Sequence, residues 1–182
     1  SAEGFNIDAG GLAPYFGDLG GSLLINTGGV MLITNAGDWR VNSNHTVVVE
    51  GGALIVTKNP SGTITFGPNG NQSTANAAGF TNNAGTVVFD RPFQLRGRYT
   101  RFIMNGGVLD LLGGGGIAES SNDQERPWLI NGGTANLGDF SITRTTGGGG
   151  LLISNGVVTA TSLRIGTSAS RAYATIYGGV LT

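Results

Sequence analysis

Few side chains in this sequence have the chemistry that catalysis needs. The chain contains a single histidine, His45, and no cysteine. A typical zinc site needs several His or Cys ligands, and a nucleophilic triad needs a histidine and a serine held together, as in the Gly-x-Ser-x-Gly motif that is missing here. His45 follows a short polar run and precedes an apolar one, so we expect it to be solvent-facing or to cap a strand. The sequence therefore argues against a zinc site and against a nucleophilic triad.

Paired carboxylates are the remaining route to hydrolysis. A glycosidase needs two carboxyl groups at a defined separation, with one kept protonated by burial. Asp90 and Asp110 are close to one sequence repeat apart, so the two side chains could share a face. Exposed acids with arginine partners are the simpler interpretation, and we prefer it. A polysaccharide lyase or hydrolase remains an alternative.

The richest charged run is 90–101, with the sequence DRPFQLRGRYTR. Guanidinium groups bind carboxylate or sulfate through paired hydrogen bonds, and aromatic faces can stack on sugar rings. The run is therefore a candidate surface for an acidic glycan, formed by Phe93, Arg96, Arg98, Tyr99 and Arg101. In the alternative interpretation, strand alternation turns Phe93 inward and Arg96 outward. The outward side chains of the run would then form an ordinary exposed strand face.

A second polar stretch carries a weak metal signal. Asp123 and Glu125 lie in a glycine-rich and acidic loop, and with backbone carbonyls they could bind Ca²⁺. The spacing does not match an EF-hand or a calcium-binding nonapeptide repeat. We expect a plain loop here, and no metal or other cofactor.

A recurring glycine doublet indicates the elements that would position all these residues. Glycine makes up 34 of the 182 residues, which leaves no long apolar stripe with helical spacing. The doublet or its variant begins at positions 106, 132, 156 and 178, in steps of 22 to 26 residues. A fixed period of this size is typical of a solenoid, in which each repeat buries its apolar face against its neighbours.

Each period contains about three short alternating stretches separated by Gly or Asn corners. This pattern predicts an all-β protein, a parallel β-helix of about seven coils with three short strands per coil. Asn-Gly between apolar runs also favours a hairpin, so an antiparallel sheet is the alternative fold.

The corners have a physical reason to contain Asn and Gly, because a sharp turn needs positive φ at one or both residues. Asn precedes the glycine in four successive repeats, and stacked amides could form a hydrogen-bonded ladder. Glu50 and Tyr177 interrupt this pattern. The predicted corner residues are Asn83, Asn105, Gly106, Gly107, Asn131, Gly132, Gly133, Asn155, Gly156, Gly178 and Gly179.

The repeat runs nearly from end to end, so we expect a single domain over 1–182. Residues 1–20 are expected to form an N-terminal strand or cap segment, and 58–79 and 113–127 to form loop excursions. The net charge is −1 and only 12% of residues are charged, which argues against nucleic-acid binding. No apolar run is long enough to span a membrane as a helix.

Two stretches near the C-terminus, 155–167 (NGVVTATSLRIGT) and 176–182 (IYGGVLT), resemble the repeats of bacterial autotransporter-type passenger domains. They are also similar to large repetitive β-helical surface proteins of bacteria. The resemblance implies an exported right-handed β-helix that serves as a stalk, adhesin or matrix component, located outside the cell or on its surface. It implies no catalytic residue.

The last residues stop within a coil and show no capping element. We expect either continuation in a longer chain or self-association, in which another copy adds its coils there and 4–8 docks as a strand. The leading hypothesis is thus a non-enzymatic structural or adhesive surface protein, a rod segment or a head-to-tail fibre subunit, with a glycan or host surface as a further partner. The alternatives are a polysaccharide-binding module and a lyase or hydrolase fragment.

Overall fold

The chain forms three parallel sheets in the computed structural model, which describes residues 4–7, 21–34, 37–41, 45–58, 62–67, 78–95, 100–117, 126–142, 148–166 and 171–182. Sheet A consists of β1 (Gly4–Ile7), β3 (Val30–Ile33), β6 (Ala53–Val56), β9 (Thr86–Phe89), β12 (Val108–Asp110), β15 (Thr134–Asn136), β18 (Val157–Thr159) and β21 (Val180–Leu181). Sheet B consists of β4 (Trp39–Val41), β7 (Ile64–Phe66), β10 (Phe93–Leu95), β13 (Gly115–Ile117), β16 (Asp139–Ile142) and β19 (Ser162–Ile165). Sheet C consists of β2 (Gly21–Ile25), β5 (His45–Val49), β8 (Gly79–Asn82), β11 (Arg101–Met104), β14 (Arg126–Ile130), β17 (Gly148–Ile153) and β20 (Arg171–Ile176).

The chain passes through sheets C, A and B in that order, and each complete turn adds one parallel strand to each sheet. This gives six complete coils, from β2-β3-β4 to β17-β18-β19, and β20 and β21 begin a seventh. The predicted parallel β-helix with three strands per coil is confirmed, and the antiparallel alternative is wrong. No helix occurs in the ranges given above. The right-handedness of the coil stays a prediction.

Strands occur in three segments for which the sequence predicts loop excursions or an N-terminal strand or cap. The predicted excursions 58–79 and 113–127 each contain a core strand, β7 and β13 respectively, so they are shorter than expected. The N-terminal strand β1 pairs in parallel with β3 of its own chain, with Gly4 opposite Val30. In this structure the segment therefore extends sheet A of the same molecule.

Alternation along the strands fills the interior with aliphatic and aromatic side chains that form one continuous core. Near its centre the Trp128 indole stacks between two phenylalanines, 5.6 Å from the Phe93 ring and 4.6 Å from the Phe140 ring by centroid distance. Gly115 occupies the register position between those two phenylalanines in sheet B. Because Gly115 has no side chain, the space between the two rings is open to the indole that sheet C supplies.

The corner between sheets C and A ends in glycine in all seven coils, at Gly29, Gly52, Gly85, Gly107, Gly133, Gly156 and Gly179. The carbonyl of this glycine accepts a hydrogen bond from the next coil, as Gly133 O does from Val157 N at 2.9 Å. That carbonyl therefore points at the corner above it, where a Cβ on Gly156 would lie 2.8 Å from Gly133 O. Stacking thus requires glycine at this position, and at Gly107, Gly133, Gly156 and Gly179 the positive φ of the turn requires it as well.

The asparagine ladder joins three of the four predicted residues. Asn131 donates to Asn105 Oδ1 at 2.9 Å, and Asn105 donates to Asn83 Oδ1 at 2.8 Å. Asn83 donates in turn to Glu50 Oε1 at 3.0 Å, so the glutamate that interrupts the sequence pattern is the last acceptor of the ladder. The prediction is wrong for Asn155, which lies one corner position later, where its Oδ1 accepts from Gly156 N.

Candidate functional site

The predicted glycan-binding residues do not form one surface in the part of the chain that the structure describes. Phe93 is only 1% exposed and its ring packs within the aromatic core, so it cannot stack on a sugar, and its assignment to a binding face is wrong. Arg101 is exposed at the start of β11, on sheet C, whereas Phe93 belongs to sheet B. Arg96, Arg98 and Tyr99 lie outside the described residues.

His45 is 2% exposed, which corrects the expectation of a solvent-facing histidine. It is the first residue of β5, and the alternation of that strand turns it to the same side as the core residues Val47 and Val49. Three polar residues precede His45, and they indicate a polar corner. The strand begins at His45 itself, and its alternation decides which way the side chain points.

The acidic residues are also spread apart. Asp110 pairs in register with Val88, so Asp90 lies further along the neighbouring coil and not opposite Asp110. Asp110 Oδ1 instead accepts a hydrogen bond from Asn136 at 2.9 Å. The calcium candidates Asp123 and Glu125 lie outside the described residues. Within those residues no group of three His, Cys, Asp or Glu side chains is close enough to hold a metal ion.

A buried arginine that the sequence did not reveal holds three coils together at the corner between sheets A and B. Arg91 is 1% exposed, and its Nε donates to Thr57 O at 2.7 Å while its Nη1 donates to Gly37 O at 2.8 Å. These carbonyls belong to the two preceding coils. A planar guanidinium with several donors can satisfy such separated acceptors at once. Arg91 therefore ties the first three coils together.

Asp38 anchors the same corner. Its Oδ1 accepts from the Thr63 backbone N and from Thr63 Oγ1, both at 3.0 Å, and its Oδ2 accepts from Arg40 Nη2 at 2.8 Å. The hydrogen bond from the Thr63 backbone, followed by the one from Arg40, lowers the pKa of Asp38. Burial lowers the pKa of Arg91, and the charge of Asp38 partly offsets that effect.

We expect Asp38→Asn to reduce the sensitivity of folding to acid. Because the pKa of Asp38 is lower in the folded state, its carboxylate stabilises the fold above the unfolded-state pKa of about 3.9, and this contribution disappears as the pH falls through the folded-state pKa. The melting temperature of the variant should therefore lie below that of the unmodified protein at pH 7 and approach it near pH 3. Circular dichroism melts at both pH values measure this.

The control for that experiment is Asp139→Asn, which removes an exposed carboxylate. Asp139 directly precedes the core residue Phe140 of a sheet B strand, as Asp38 directly precedes Trp39. Asp38→Asn should change the pH dependence of the melting temperature more than Asp139→Asn does, because Asp38 accepts three hydrogen bonds whereas Asp139 accepts one, from Ser162. A gap between Asp38→Asn and the unmodified protein that stays constant from pH 7 to pH 3 would contradict the assignment of the acid-sensitive group to Asp38.

A shallow pocket of about 240 Å³ lies on the outer face of sheet B, lined by Asp139, Phe140, Ser141, Ser162 and Arg164. Ser162 Oγ donates to Asp139 Oδ1 at 2.8 Å, so the hydroxyl is already engaged. The lining offers hydrogen bonds and one charge of each sign, but neither a histidine nor a cysteine. Its chemistry suits a small polar molecule.

The two ends of the solenoid differ sharply in how well their core is covered. At the C-terminal end, Ile165 is 44% exposed and Ile176 is 48% exposed, although their register partners one coil earlier, Ile142 and Ile153, are fully buried. At the other end, Trp39 in the first strand of sheet B is fully buried. The last strands β19, β20 and β21 each have a neighbour on one side only. The C-terminal end therefore presents uncovered core and free strand edges.

The fold and its stacked Asn-Gly corners place the protein in the class of parallel β-solenoid repeat proteins. No protein-family model matches the chain, and searches of curated proteins and of solved structures found no match either. In the described part of the chain, no helix has the length and apolar character that crossing a membrane requires.

Proposed function

We propose that this protein is a non-enzymatic structural rod whose C-terminal end accepts further β coils. One observation carries the proposal: the core residues that face inward at this end, Ile165 and Ile176, are about half exposed. Apolar residues at the equivalent positions of interior coils are fully buried. A further coil would cover them and pair the free edges of β19, β20 and β21.

The energetic gain from such a coil is substantial. Full burial of an isoleucine side chain is worth roughly 1.5–3 kcal/mol, so covering two half-exposed ones contributes about half that for each. Leu181, which also faces inward, is partly covered and would gain as well. In a repeat protein every added interface contributes a term of this kind to stability. Free parallel edges also template further strands.

Two arrangements supply the coil: a longer chain that continues the rod, or a second copy that stacks head to tail as a fibre. The resemblance to autotransporter-type passenger repeats supports an exported bacterial stalk or adhesin, located on the cell surface or secreted. The low charge and the polar, glycine-rich corners suit such a surface role.

Adding one coil is expected to stabilise the protein. Thr182 follows the pairing of Leu181 with Val158, so it occupies the register position of Thr159. A repeat of 160–182 placed directly after Thr182 therefore continues the solenoid in step. We expect its melting temperature to rise by several degrees, and hydrogen exchange to slow in β19 and β20, whose free edges the new coil covers.

The matched control carries the 23 residues of 160–182 in scrambled order after Thr182. It should leave both the melting temperature and the exchange rates unchanged. An ordered extension that stabilises no more than the scrambled one would contradict coil addition at this end. Negative-stain electron microscopy of the unextended chain then separates the two arrangements, because filaments indicate stacking of a second copy and single short rods indicate continuation.

A further inference from the structure

A ridge of neutral side chains follows the corner between sheets C and A along the whole solenoid. One row comes from outward residues of sheet C: Leu24, Val48, Thr81, Ile103, Leu129, Leu152 and Thr175. A second row comes from the first residues of sheet A strands: Val30, Ala53, Thr86, Val108, Thr134, Val157 and Val180. Between them run the first corner residues: Asn26, Glu50, Asn83, Asn105, Asn131, Ser154 and Tyr177. We call these three rows the corner ridge.

The corner ridge is apolar on both flanks and almost uncharged. Ten of the fourteen flanking residues are Ala, Val, Ile or Leu, and the other four are threonines. Leu24 is 55% exposed, and Val108 and Val157 are 44% and 45% exposed. Glu50 carries the only charge in the three rows, and its carboxylate already accepts a hydrogen bond from Asn83. An apolar strip of this kind is comparable to the largest apolar patch of a typical monomeric protein, and such patches often mark interaction sites.

We propose that the corner ridge packs side by side against the corner ridge of a second copy of this chain. The rows repeat once per coil, about every 4.8 Å along the axis. A partner with the same repeat keeps its side chains in step over all seven coils, whereas a partner with another repeat drifts out of register. A second copy has that repeat by identity.

The charge distribution supports the same partner. Like charges placed opposite each other across an interface cost several kcal/mol, and two corner ridges bring together only Glu50 and its copy. In an antiparallel arrangement even these two carboxylates separate, because Glu50 lies in the second of seven positions along the row. The amides of Asn105 and Asn131 can extend their ladder with hydrogen bonds across the contact.

The size of the ridge predicts a weak contact. Seven coils give a strip about 30 Å long, and six residues across a turning corner give a width of roughly 15 Å. The strip therefore covers roughly 450 Å² on each copy, below the ~800 Å² per partner of a standard stable interface. Lateral association should thus be reversible for this chain and should strengthen in proportion to the number of coils.

Sedimentation velocity over a concentration series tests the proposal. The unmodified protein should show a sedimentation coefficient that rises between about 10 µM and about 1 mM, the range in which weak interfaces assemble. The double variant Ile103→Lys/Leu129→Lys places two charges in neighbouring positions of one row. We expect at least a tenfold loss of association, with an unchanged far-UV circular dichroism spectrum.

The control Leu112→Lys/Thr161→Lys adds the same charge at exposed positions of a different corner, between sheets A and B. It should associate like the unmodified protein. A third variant, Ile165→Lys, charges the exposed C-terminal end and leaves the corner ridge intact. The lateral contact is overturned if the unmodified protein stays monomeric up to about 1 mM, or if Ile165→Lys abolishes association while the ridge variant does not.

Discussion

Replacing Trp128 with alanine is expected to lower the free energy of unfolding by about 3–5 kcal/mol, the usual cost of emptying a fully buried tryptophan site. The indole is fully buried and contacts aromatic rings from three sides: it stacks on Phe93 and Phe140 and meets Phe102 edge-on at 4.5 Å. Gly115 adds no side chain that could move into the space. The cavity should therefore stay open, and the melting temperature should fall by roughly 10 °C.

Two further variants make this result specific. Tyr177→Ala removes an aromatic ring that is 76% exposed, so it should change stability by no more than about 0.5 kcal/mol. Trp128→Phe keeps a ring between Phe93 and Phe140 and removes an indole N–H that has no hydrogen-bond partner among the described residues, so it should cost much less than alanine. Equal denaturation midpoints for Trp128→Ala and Tyr177→Ala would contradict a central role for Trp128.

Much of this fold is encoded locally, which is why the sequence predicts it. Alternation within three to five residues identifies the strands, and the recurrence of Asn-Gly corners gives the period of the coil. Both signals depend only on neighbouring residues. The strand Phe93–Leu95 lies where the alternation that turns Phe93 inward places it.

The errors arise where register or distant contacts decide. Asn155 looks like a ladder residue because glycine follows it, but the pairing of Ile153 with Ile130 shifts it one position along the corner. Arg91 stands in a charged run and resembles a surface residue. Its carbonyl partners are 34 and 54 residues away in sequence, and no local pattern reveals them.

The candidate site is affected in the same way. The arginines that follow Phe93 indicate a binding surface, although the alternation of its own strand favours the core. The exposure of Ile165 and Ile176 depends on what stacks above them, which is a property of the whole coil and not of the strand. The burial of a strand's inward face therefore cannot be predicted from the strand alone, because it depends on whether a neighbouring coil covers that face.

Gly133→Ala is expected to destabilise the protein by more than about 3 kcal/mol, because two costs add at this corner. The first is backbone strain: Gly133 has φ +82°, a conformation that costs an alanine about 1–2 kcal/mol. The second is a clash between stacked coils. A Cβ at this position would lie 2.5 Å from Gly107 O and 2.7 Å from Met104 Cε.

Gly28→Ala separates these two costs. Gly28 has nearly the same conformation, φ +81°, but a Cβ there would meet nothing within 4 Å. This variant should therefore lose only the strain term of about 1–2 kcal/mol. The difference between the two variants in equilibrium denaturation measures the clash alone, and equal losses would mean that turn conformation, without stacking, explains the glycine.

The clash has a predictable location because the solenoid is stacked in one dimension. Gly107 O, which the new Cβ would displace, accepts a hydrogen bond from Thr134 N at 3.0 Å. In the next coil, Val157 N donates a hydrogen bond of 2.9 Å to Gly133 O, which belongs to the same corner. Hydrogen exchange in Gly133→Ala should therefore accelerate first at the amides of Thr134 and Val157, while coils near β3 and β6 keep their protection. Uniform acceleration along the chain would mean that the coils unfold together, and that the corner glycine stabilises the rod as a whole.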